Sequence, residues 1–262
     1  MTHCSVEEKI LYREVEKMRK RVIELSTSEQ RDFSDQECEA ILELISMIYS
    51  TEGSPALPRT LMTFLRNWSG CEAVGVRLRY GYDFPYYETR GFPDDFVLAE
   101  NKLCVTNENG EIVKDHDGNP ILECMCGNVI AGRFDPEREF FTEYGSFWTN
   151  STSELLANIS KKDRQDKTRN RCNGAGYESV ALIPLRMAGE GYGLLQFNDK
   201  RKGMFTLQKI SLLERIAANI TFSLAKCKDE TQTLLILNEK EILLHQIYKS
   251  LKIEPEYSTE PV

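Results

Sequence analysis

ESVALIPLR (residues 178–186) and YGLLQFN (residues 192–198) are two apolar runs joined through AGEG at 188–191. Each run has the length of a β-strand, and the glycine-rich segment between them has the composition of a turn. Both runs are apolar enough to be covered on both faces, as strands at the centre of a sheet are. The sequence therefore predicts a central β-hairpin.

Further strands are predicted before this hairpin. Residues 73–80 (AVGVRLRY) alternate apolar and polar side chains, as a half-buried strand does, and residues 83–91 (DFPYYETRG) continue with aromatic, strand-like composition. Residues 103–124 suit an irregular hairpin, with turn signals at 109–110 (NG) and 117–118 (DG). These strands complete a sheet around the central hairpin.

Helices are predicted on both sides of the strands. Two are expected at about residues 36–50 and 56–68, and a capping box at 151–154 (STSE) starts a short one. Residues 205–206 (FT) open a long helix that continues to about Leu251. One apolar stripe runs along that helix: Ile210, Leu213, Ala217, Ile220 and Leu224.

The N-terminal segment, about residues 6–27, has the heptad spacing of a coiled coil. Its apolar positions are Leu11, Val15, Met18, Val22 and Leu25. Two heptads are short for independent pairing, so a helix packed on its own domain is an equal alternative. The chain divides into this helical part (1–33), a central domain (34–227) and a C-terminal helix with a tail (228–262). The expected class is α+β, a central antiparallel sheet flanked by helices.

Composition limits the classes of function. Hydrophobic residues make up 41% of the chain and charged residues 28%, which is the balance of a globular protein. No apolar run reaches the length of a membrane span, and the charged N-terminus is unlike a secretory signal, so a cytoplasmic protein without membrane insertion is expected. The net charge of −8 argues against nucleic-acid binding. In the cytoplasm the eight cysteines are expected to be mostly reduced.

Four cysteines are the main chemical feature: Cys104, Cys124, Cys126 and Cys172. Thiolates are ligands for zinc and for iron–sulfur clusters, so the four predict a metal site. Two alternatives stay open. Cys124 and Cys126 could be a redox-active pair, because a disulfide across one residue is strained and easily reduced. Some of the four could equally be small buried hydrophobic side chains.

Three blocks of the sequence resemble GAF domains of the bacterial and archaeal sensor histidine kinase type. They are FFT (140–142) with GSFWTN (145–150), RCN (171–173) with GYESVALIPLR (176–186), and GLLQFND (193–199) followed by Gly203 and FT at 205–206. The resemblance covers about residues 34–227. It implies a GAF-like antiparallel sheet with a pocket on one face and with N- and C-terminal signalling helices.

Within that pocket, side chains with a polar end are the expected ligand contacts: Trp148, Asn150, Glu178 and Gln196. Residues 237–247 (LNEKEILLHQI) also resemble the run that leads into the phosphoacceptor box of one histidine-kinase class, but the phosphoacceptor histidine itself is not found there. Kinase activity is therefore not expected of this chain.

The resemblance implies a non-catalytic sensory module of signal transduction, such as a two-component system. It would bind a small ligand or a cysteine-ligated zinc or iron–sulfur cluster and pass its state to flanking helices in a homodimer. A histidine kinase or a response regulator is the expected partner. Two alternatives come from other classes: a cysteine-dependent enzyme such as a GAF-fold free methionine sulfoxide reductase, and a pure dimerisation adaptor.

Overall fold

The structure is a computed structural model that describes residues 42–44, 46–48, 54–158 and 169–251. The predicted coiled-coil-like helix and the tail after Leu251 lie outside these residues, and the helix predicted at 36–50 is described only at 42–44 and 46–48, both helical. The elements in chain order are α1 (Leu57–Ser69), β1 (Ala73–Leu78), β2 (Tyr86–Arg90), α2 (Asp94–Glu100), α3 (Cys124–Ile130), β3 (Phe147–Thr149), α4 (Thr152–Asn158), α5 (Arg171–Gly174), β4 (Ser179–Met187), β5 (Glu190–Asp199) and α6 (Leu207–Leu251).

The predicted hairpin is β4 with β5, at the centre of a sheet with the order β2-β1-β5-β4-β3. Its two-residue turn has positive φ angles at Ala188 (51°) and Gly189 (84°), the pattern that matches the right-handed twist of paired strands. All neighbouring strands are antiparallel. The expected α+β class with an antiparallel sheet is confirmed.

The two faces of the sheet bury different kinds of side chain. On β5, Leu195 and Phe197 belong to the core on one face, whereas Leu194 belongs to the core on the other. The same alternation continues on β4, where Ile183 and Leu182 lie on opposite faces. The first face is mainly apolar, with the buried polar residues Ser179 and Asp199 where β4 begins and β5 ends. The second face contains the fully buried polar side chains of Arg77, Gln196 and Asn198.

Helices α1 and α6 cover the apolar face. Leu57, Leu61 and Leu65 of α1 are completely buried, and each buried leucine contributes roughly 2 kcal/mol through the hydrophobic effect. The stripe predicted for α6 is buried along its whole length: Ile210, Leu213, Ala217, Ile220 and Leu224. No helix of the described segments is long and apolar enough to cross a membrane.

The opposite face is covered by α2, α3 and the segments around them. The irregular hairpin predicted at 103–124 has turns at both predicted places, with positive φ at Gly110 and Gly118. It contains two small loops, closed by isolated bridges from Thr106 to Ile112 and from Lys114 to Pro120. A third bridge joins Cys104 to Leu122 and brings the chain to the start of α3. Helix α3 then packs so closely that a Cβ on Gly127 would lie 2.6 Å from the Cβ of Leu122. Because Gly127 has no Cβ, α3 can pack against Leu122.

Only the serine half of the capping box predicted before α4 is present, because the Ser151 amide donates to Thr149 and the Glu154 carboxylate pairs with Lys202. The amide of Glu154 donates to the hydroxyl of Ser151 over 3.2 Å, which satisfies one of the free amides of the first turn. Helix α4 lies beside β3, at the rim of the second face. It therefore forms one wall of the cavity on that face.

Candidate functional site

A cavity of about 280 Å³ lies on the face of the sheet that is opposite α6. Its walls are mainly apolar side chains from β3, β4, α4 and the segment before β3: Phe140, Phe141, Phe147, Leu155, Leu156, Val180 and Leu182. Three thiols also line it: Cys124, Cys126 and Cys172. An apolar cavity with a few convergent polar groups is the usual form of a small-molecule site.

Gln196 of β5 lies between two of these thiols. The sulfur of Cys126 is 3.9 Å from its Oε1 atom, and its Nε2 atom is 3.7 Å from the sulfur of Cys172. Three elements therefore meet at one amide: α3 through Cys126, α5 through Cys172, and the central strand β5.

The remaining contacts of Gln196 fix the orientation of its amide. The hydroxyl of Tyr86 donates to Oε1 over 2.9 Å, and Nε2 donates to Oδ1 of Asn198 over 3.1 Å. Gln196 is 1% exposed, so an unmet donor or acceptor here would be costly. Rotation of this amide would break all of these bonds together.

Of the three cavity thiols, Cys124 is the one whose pKa is lowered. The thiol of Cys126 donates a hydrogen bond to its sulfur, and this bond, with the amide of Cys126 and the nearby Arg169, overcomes burial and lowers the pKa of Cys124 to about 5. Cys124 also has a positive φ of 63°, a conformation that costs a non-glycine residue about 1 kcal/mol or more. A strained, ionised cysteine in a cavity is typical of a functional site.

The other two cavity thiols stay protonated. Donation to Cys124, together with burial, raises the pKa of Cys126 far above its usual range. Burial, followed by the negative charge of Cys124, raises the pKa of Cys172 to about 12. The cluster therefore holds one thiolate and two thiols.

A buried positive charge, Arg77, lies close to this cluster of thiols. Arg77 of β1 is completely buried, and its guanidinium lies 3.6 Å from the centre of the Tyr86 ring. It donates to the backbone carbonyls of Phe84 (3.0 Å) and Glu100 (2.7 Å), while its Nε atom has no hydrogen-bond partner. A buried cation without a carboxylate bond favours negative charge nearby. Among the cavity thiols its charge acts on Cys126 and Cys172, whereas Arg169 acts on Cys124.

An ion-pair cluster holds the α5 side of the site. The carboxylate of Glu100, only 3% exposed, pairs with Arg171 over 3.0 Å and with Arg169 over 3.5 Å. Arg169 also lies 3.9 Å from the carboxylate of Glu123, next to Cys124. These pairs connect α2 and α5 to the beginning of α3, where the thiolate lies.

Cys104, the fourth cysteine of the expected metal site, is in a different place. Its thiol donates to the backbone carbonyl of Tyr82 over 2.9 Å, and it does not line the cavity. Burial and the carboxylate of Asp83 raise its pKa to about 12. Within the part of the chain that the structure describes, no group of three or more His, Cys, Asp or Glu side chains is arranged to hold a metal ion. Three of the four cysteines are brought together, and Cys104 is not.

Of the four expected ligand contacts, only Gln196 is beside the thiols. Trp148 packs against the core on the α6 side, because alternate residues of a strand face opposite sides and its neighbour Phe147 takes the cavity side. Asn150 accepts from the amide of Phe205 (2.9 Å) and donates to its carbonyl (2.8 Å), which anchors the start of α6.

Glu178 caps α4 instead of facing the cavity. Its carboxylate accepts from the hydroxyls of Ser153 (2.6 Å) and Ser151 (3.0 Å), and the Ser153 bond is the main cause of its lowered pKa. Sequence reasoning missed Arg77, Tyr86 and Glu100 at the site. The alternation at 73–80 predicts a half-buried strand, whereas β1 is buried at every position, so the burial of Arg77 had no signal in the sequence.

The comparisons with known proteins come from solved structures. No family model and no curated protein matches the chain. The GAF domain of an Acinetobacter phosphoenolpyruvate-protein phosphotransferase has a TM-score of 0.50 at 11% identity, covering 76% of this chain and 99% of that chain. Its counterpart from Coxiella burnetii has a TM-score of 0.50 at 10% identity, with coverage of 76% and 99%.

A free methionine-R-sulfoxide reductase from Neisseria meningitidis is also similar, with a TM-score of 0.46 at 13% identity over 76% of this chain and 95% of that chain. At such identities, likeness shows a shared fold and says nothing of activity. The expectation of a GAF fold is confirmed, without a preference for the histidine kinase type. The chain therefore has the fold of GAF domains.

Proposed function

We propose that this chain is a non-catalytic regulatory module that detects its signal in the three-thiol cavity and transmits it through α6. One observation carries the proposal: Gln196 contacts the cavity thiols, and its neighbours Leu195 and Phe197 on β5 belong to the core that α6 covers. The sensing site and the output helix are thus separated by a single layer of sheet.

Close packing makes transmission through this layer effective. Leu195, Phe197 and Ile183 are completely buried beneath α6, and a protein interior is packed as densely as an organic crystal. A ligand or a modified thiol that moves Gln196 therefore displaces the apolar side chains on the other face. Such a change biases the packing of α6 between two arrangements, which is how signals are passed in two-state modules.

Helix α6 has the length that an output element needs. Its 45 residues span about 68 Å. Its core contacts extend to Cys227, whereas Leu237 further along is 55% exposed. An exposed apolar position on a helix that leaves its domain suits pairing with the same helix of a second copy, so we propose a homodimer. A histidine kinase or a response regulator is the proposed receiver.

Hydrogen exchange provides the test. The reduced full-length chain and the chain treated with methyl methanethiosulfonate, which places a methylthio group on accessible thiols, are compared amide by amide. The proposal expects altered protection on β5 and along α6, including beyond Cys227, and a changed dimer dissociation constant. If the cavity thiols are modified while α6 exchange and association stay the same, the sensor proposal fails and an adaptor is favoured.

A metal-bound form is a second version of the same proposal. Cys124, Cys126 and Cys172 line one cavity, and zinc and iron–sulfur clusters take thiolate ligands, but these side chains would have to move to form a metal site. Using Cys104 as well would require it to leave the carbonyl of Tyr82. Elemental analysis of protein purified without oxygen decides: about one zinc, or iron with a brown colour, supports this version, and metal-free protein removes it.

The cysteine-dependent reductase remains the alternative of another class. It is favoured by the low pKa of Cys124 inside a cavity, because a thiolate is the nucleophile of such enzymes. Turnover of free methionine sulfoxide with a thiol reductant by the folded chain would overturn the non-catalytic proposal. Lack of turnover removes this alternative.

A further inference from the structure

The segment before β3 contacts both the cavity and α6. Phe140 and Phe141 line the cavity, and the next residue, Thr142, donates through its hydroxyl to Oε1 of Glu214 on α6 over 2.5 Å. We propose that this hydrogen bond is a regulatory contact, which carries a displacement of the cavity wall to α6 around the β3 edge of the sheet. This inference rests on the proposed function, because it names a second path from the same cavity to the same helix.

The position of this segment at the edge of the sheet gives it access to both faces. Strand β3 is the last strand of the sheet, and the segment pairs with it through a bridge from Phe141 to Phe147. The amide of Trp148 also donates to the carbonyl of Phe140 over 2.9 Å. Phe141 belongs to the core on the cavity face, whereas α6 covers the other face. The aromatic wall and Thr142 therefore form one hydrogen-bonded unit that passes around the sheet.

The turn that follows holds the hydroxyl of Thr142 in one orientation. The amide of Ser146 donates to this hydroxyl over 3.1 Å, and the amide of Gly145 donates to the carbonyl of Thr142 over 2.9 Å. Because the hydroxyl oxygen accepts from Ser146, its own proton is directed to Glu214. Hydrogen bonds to a carboxylate are stronger than those between neutral groups. A displacement of the turn therefore pulls on Glu214 or breaks the bond.

Close packing at the turn prevents it from absorbing a movement. Gly145 has a positive φ of 90°, and a Cβ there would lie 2.6 Å from a ring carbon of Phe134 and 2.8 Å from Nη2 of Arg186. The guanidinium of Arg186 lies 5.4 Å from the centre of the Tyr144 ring, on the same turn. Densely packed groups shift together because there is no space in which they can deform separately.

On the helix side, Glu214 lies beside the buried stripe of α6. Its neighbour Leu213 is completely buried, and so are Ile210 and Ala217 one turn away on either side. A carboxylate extends outward from the helix surface, so a force on it acts away from the helix axis and favours rotation of α6. The expected response is therefore a change in packing along the first turns of α6.

Hydrogen exchange on a labelled full-length chain tests this inference. Every chain carries Cys227→Ser, so that the probe does not react on α6 itself. Benzyl methanethiosulfonate places on a cavity thiol a benzylthio group that is large for about 280 Å³, and the tryptic peptides 115–133 and 172–186 show where it is bound. We expect amide exchange at 208–217 and at 145–146 to change together on labelling, by about fivefold.

Variants then remove the contact from each side. In Thr142→Val, which keeps the shape and loses the hydroxyl, the effect of the label at 208–217 should disappear while its effect on β5 remains. Glu214→Ala should behave in the same way, and Glu214→Gln, which keeps an acceptor oxygen, should retain the response. The matched control is Thr221→Val, because that hydroxyl donates to the carbonyl of Ala217 within α6 over 2.6 Å. It should respond to the label like the chain with native Thr221.

Two results would overturn the inference. One is a response at 208–217 that survives both Thr142→Val and Glu214→Ala. The other is a response of α6 without any change in exchange at 145–146.

A measurement without a label covers the case in which the probe does not enter the cavity. Phe140→Leu removes part of the wall and is expected to change exchange at 208–217 by about fivefold when Thr142 is present and to have no effect in Thr142→Val. Additive effects of the two substitutions, or no effect of Phe140→Leu in either chain, would contradict the coupling.

The same samples distinguish this inference from the proposed function. If labelling of the cavity changes exchange nowhere along α6, the sensor proposal fails. If exchange along α6 changes and Thr142→Val does not diminish the change, the sensor proposal stands and only the contact at the edge of the sheet is removed from it.

Discussion

The side-chain amide of Gln196 donates to the sulfur of Cys172 across 3.7 Å. This contact joins the central strand to α5, an element that otherwise belongs to the rim of the cavity. Because the same amide also contacts Cys126, Tyr86 and Asn198, the state of the thiols and the position of β5 are coupled.

Replacing Gln196 by leucine is expected to lower the free energy of unfolding by about 1–3 kcal/mol. The change leaves the buried hydroxyl of Tyr86 and the side chain of Asn198 without this partner. Urea denaturation measures the loss. The matched control is Leu195→Met on the opposite face of the same strand, expected to cost less than about 1.5 kcal/mol because volume and polarity are kept. Equal effects of the two changes would show that the amide network contributes little.

Alkylation of Cys124 by iodoacetamide is expected to remain fast under mildly acidic conditions. A lowered pKa means that the thiolate predominates above about pH 5 and is lost as the pH falls through that value. Cys172 and Cys104, each with a pKa of about 12, are expected to be alkylated slowly at neutral pH. Mass spectrometry of the tryptic peptides after timed labelling gives each rate. A Cys124 rate that rises only above neutral pH would contradict this assignment.

Replacing Gly127 by alanine is expected to lower the free energy of unfolding by about 1–3 kcal/mol and to change the rate at which iodoacetamide alkylates Cys124. The new Cβ would lie 2.6 Å from the Cβ of Leu122, so α3 must shift and the two sulfurs shift with it. The control is Gly174→Ala in α5, where an added Cβ has no heavy atom within 4 Å and the φ angle is not positive. Thermal unfolding and timed iodoacetamide labelling of Cys124 provide the two readouts. A Gly127→Ala chain as stable as the control would mean that α3 is not tightly packed.

Replacing Asn150 by alanine is expected to destabilise the fold by about 1–2 kcal/mol without changing thiol chemistry. The variant loses both hydrogen bonds to the backbone of Phe205, which precedes α6. Urea denaturation reports the first effect and iodoacetamide labelling of Cys124 the second. If labelling changed while stability did not, Asn150 would act at the cavity, as the sequence suggests.

The parts of the fold set by periodicity could be predicted from the sequence. The β4–β5 hairpin and the buried stripe of α6 follow from local apolar patterns, which the tertiary structure reinforces. The grouping of Cys124 and Cys126 is local as well, since both belong to one short helix. Domain boundaries at 33 and 227 stay predictions.

The parts set by non-local pairing could not be predicted. The side on which Trp148 lies depends on the pairing of a three-residue strand with β4, because a shift of one residue would exchange the two faces. Cys104 is kept from the cavity by its bridge with Leu122, for which the sequence carries no periodic signal. Arg77 and Arg79 alternate with apolar residues in the strand predicted at 73–80, a pattern that is typical of a half-buried strand and carries no indication that Tyr86 would cover Arg77.

Helix α6 is unbroken from Leu207 to Leu251. The contact that its far end makes with a receiver therefore depends on the rotation of that end about the helix axis as well as on the length of the helix. Each added residue turns everything beyond it by about 100°, whereas seven residues complete almost two full turns. When one to seven residues are inserted after Cys227, the output should therefore rise and fall periodically with the number of inserted residues. It should not decline steadily. The rotation of α6 about its own axis would then decide which face of the helix contacts the receiver.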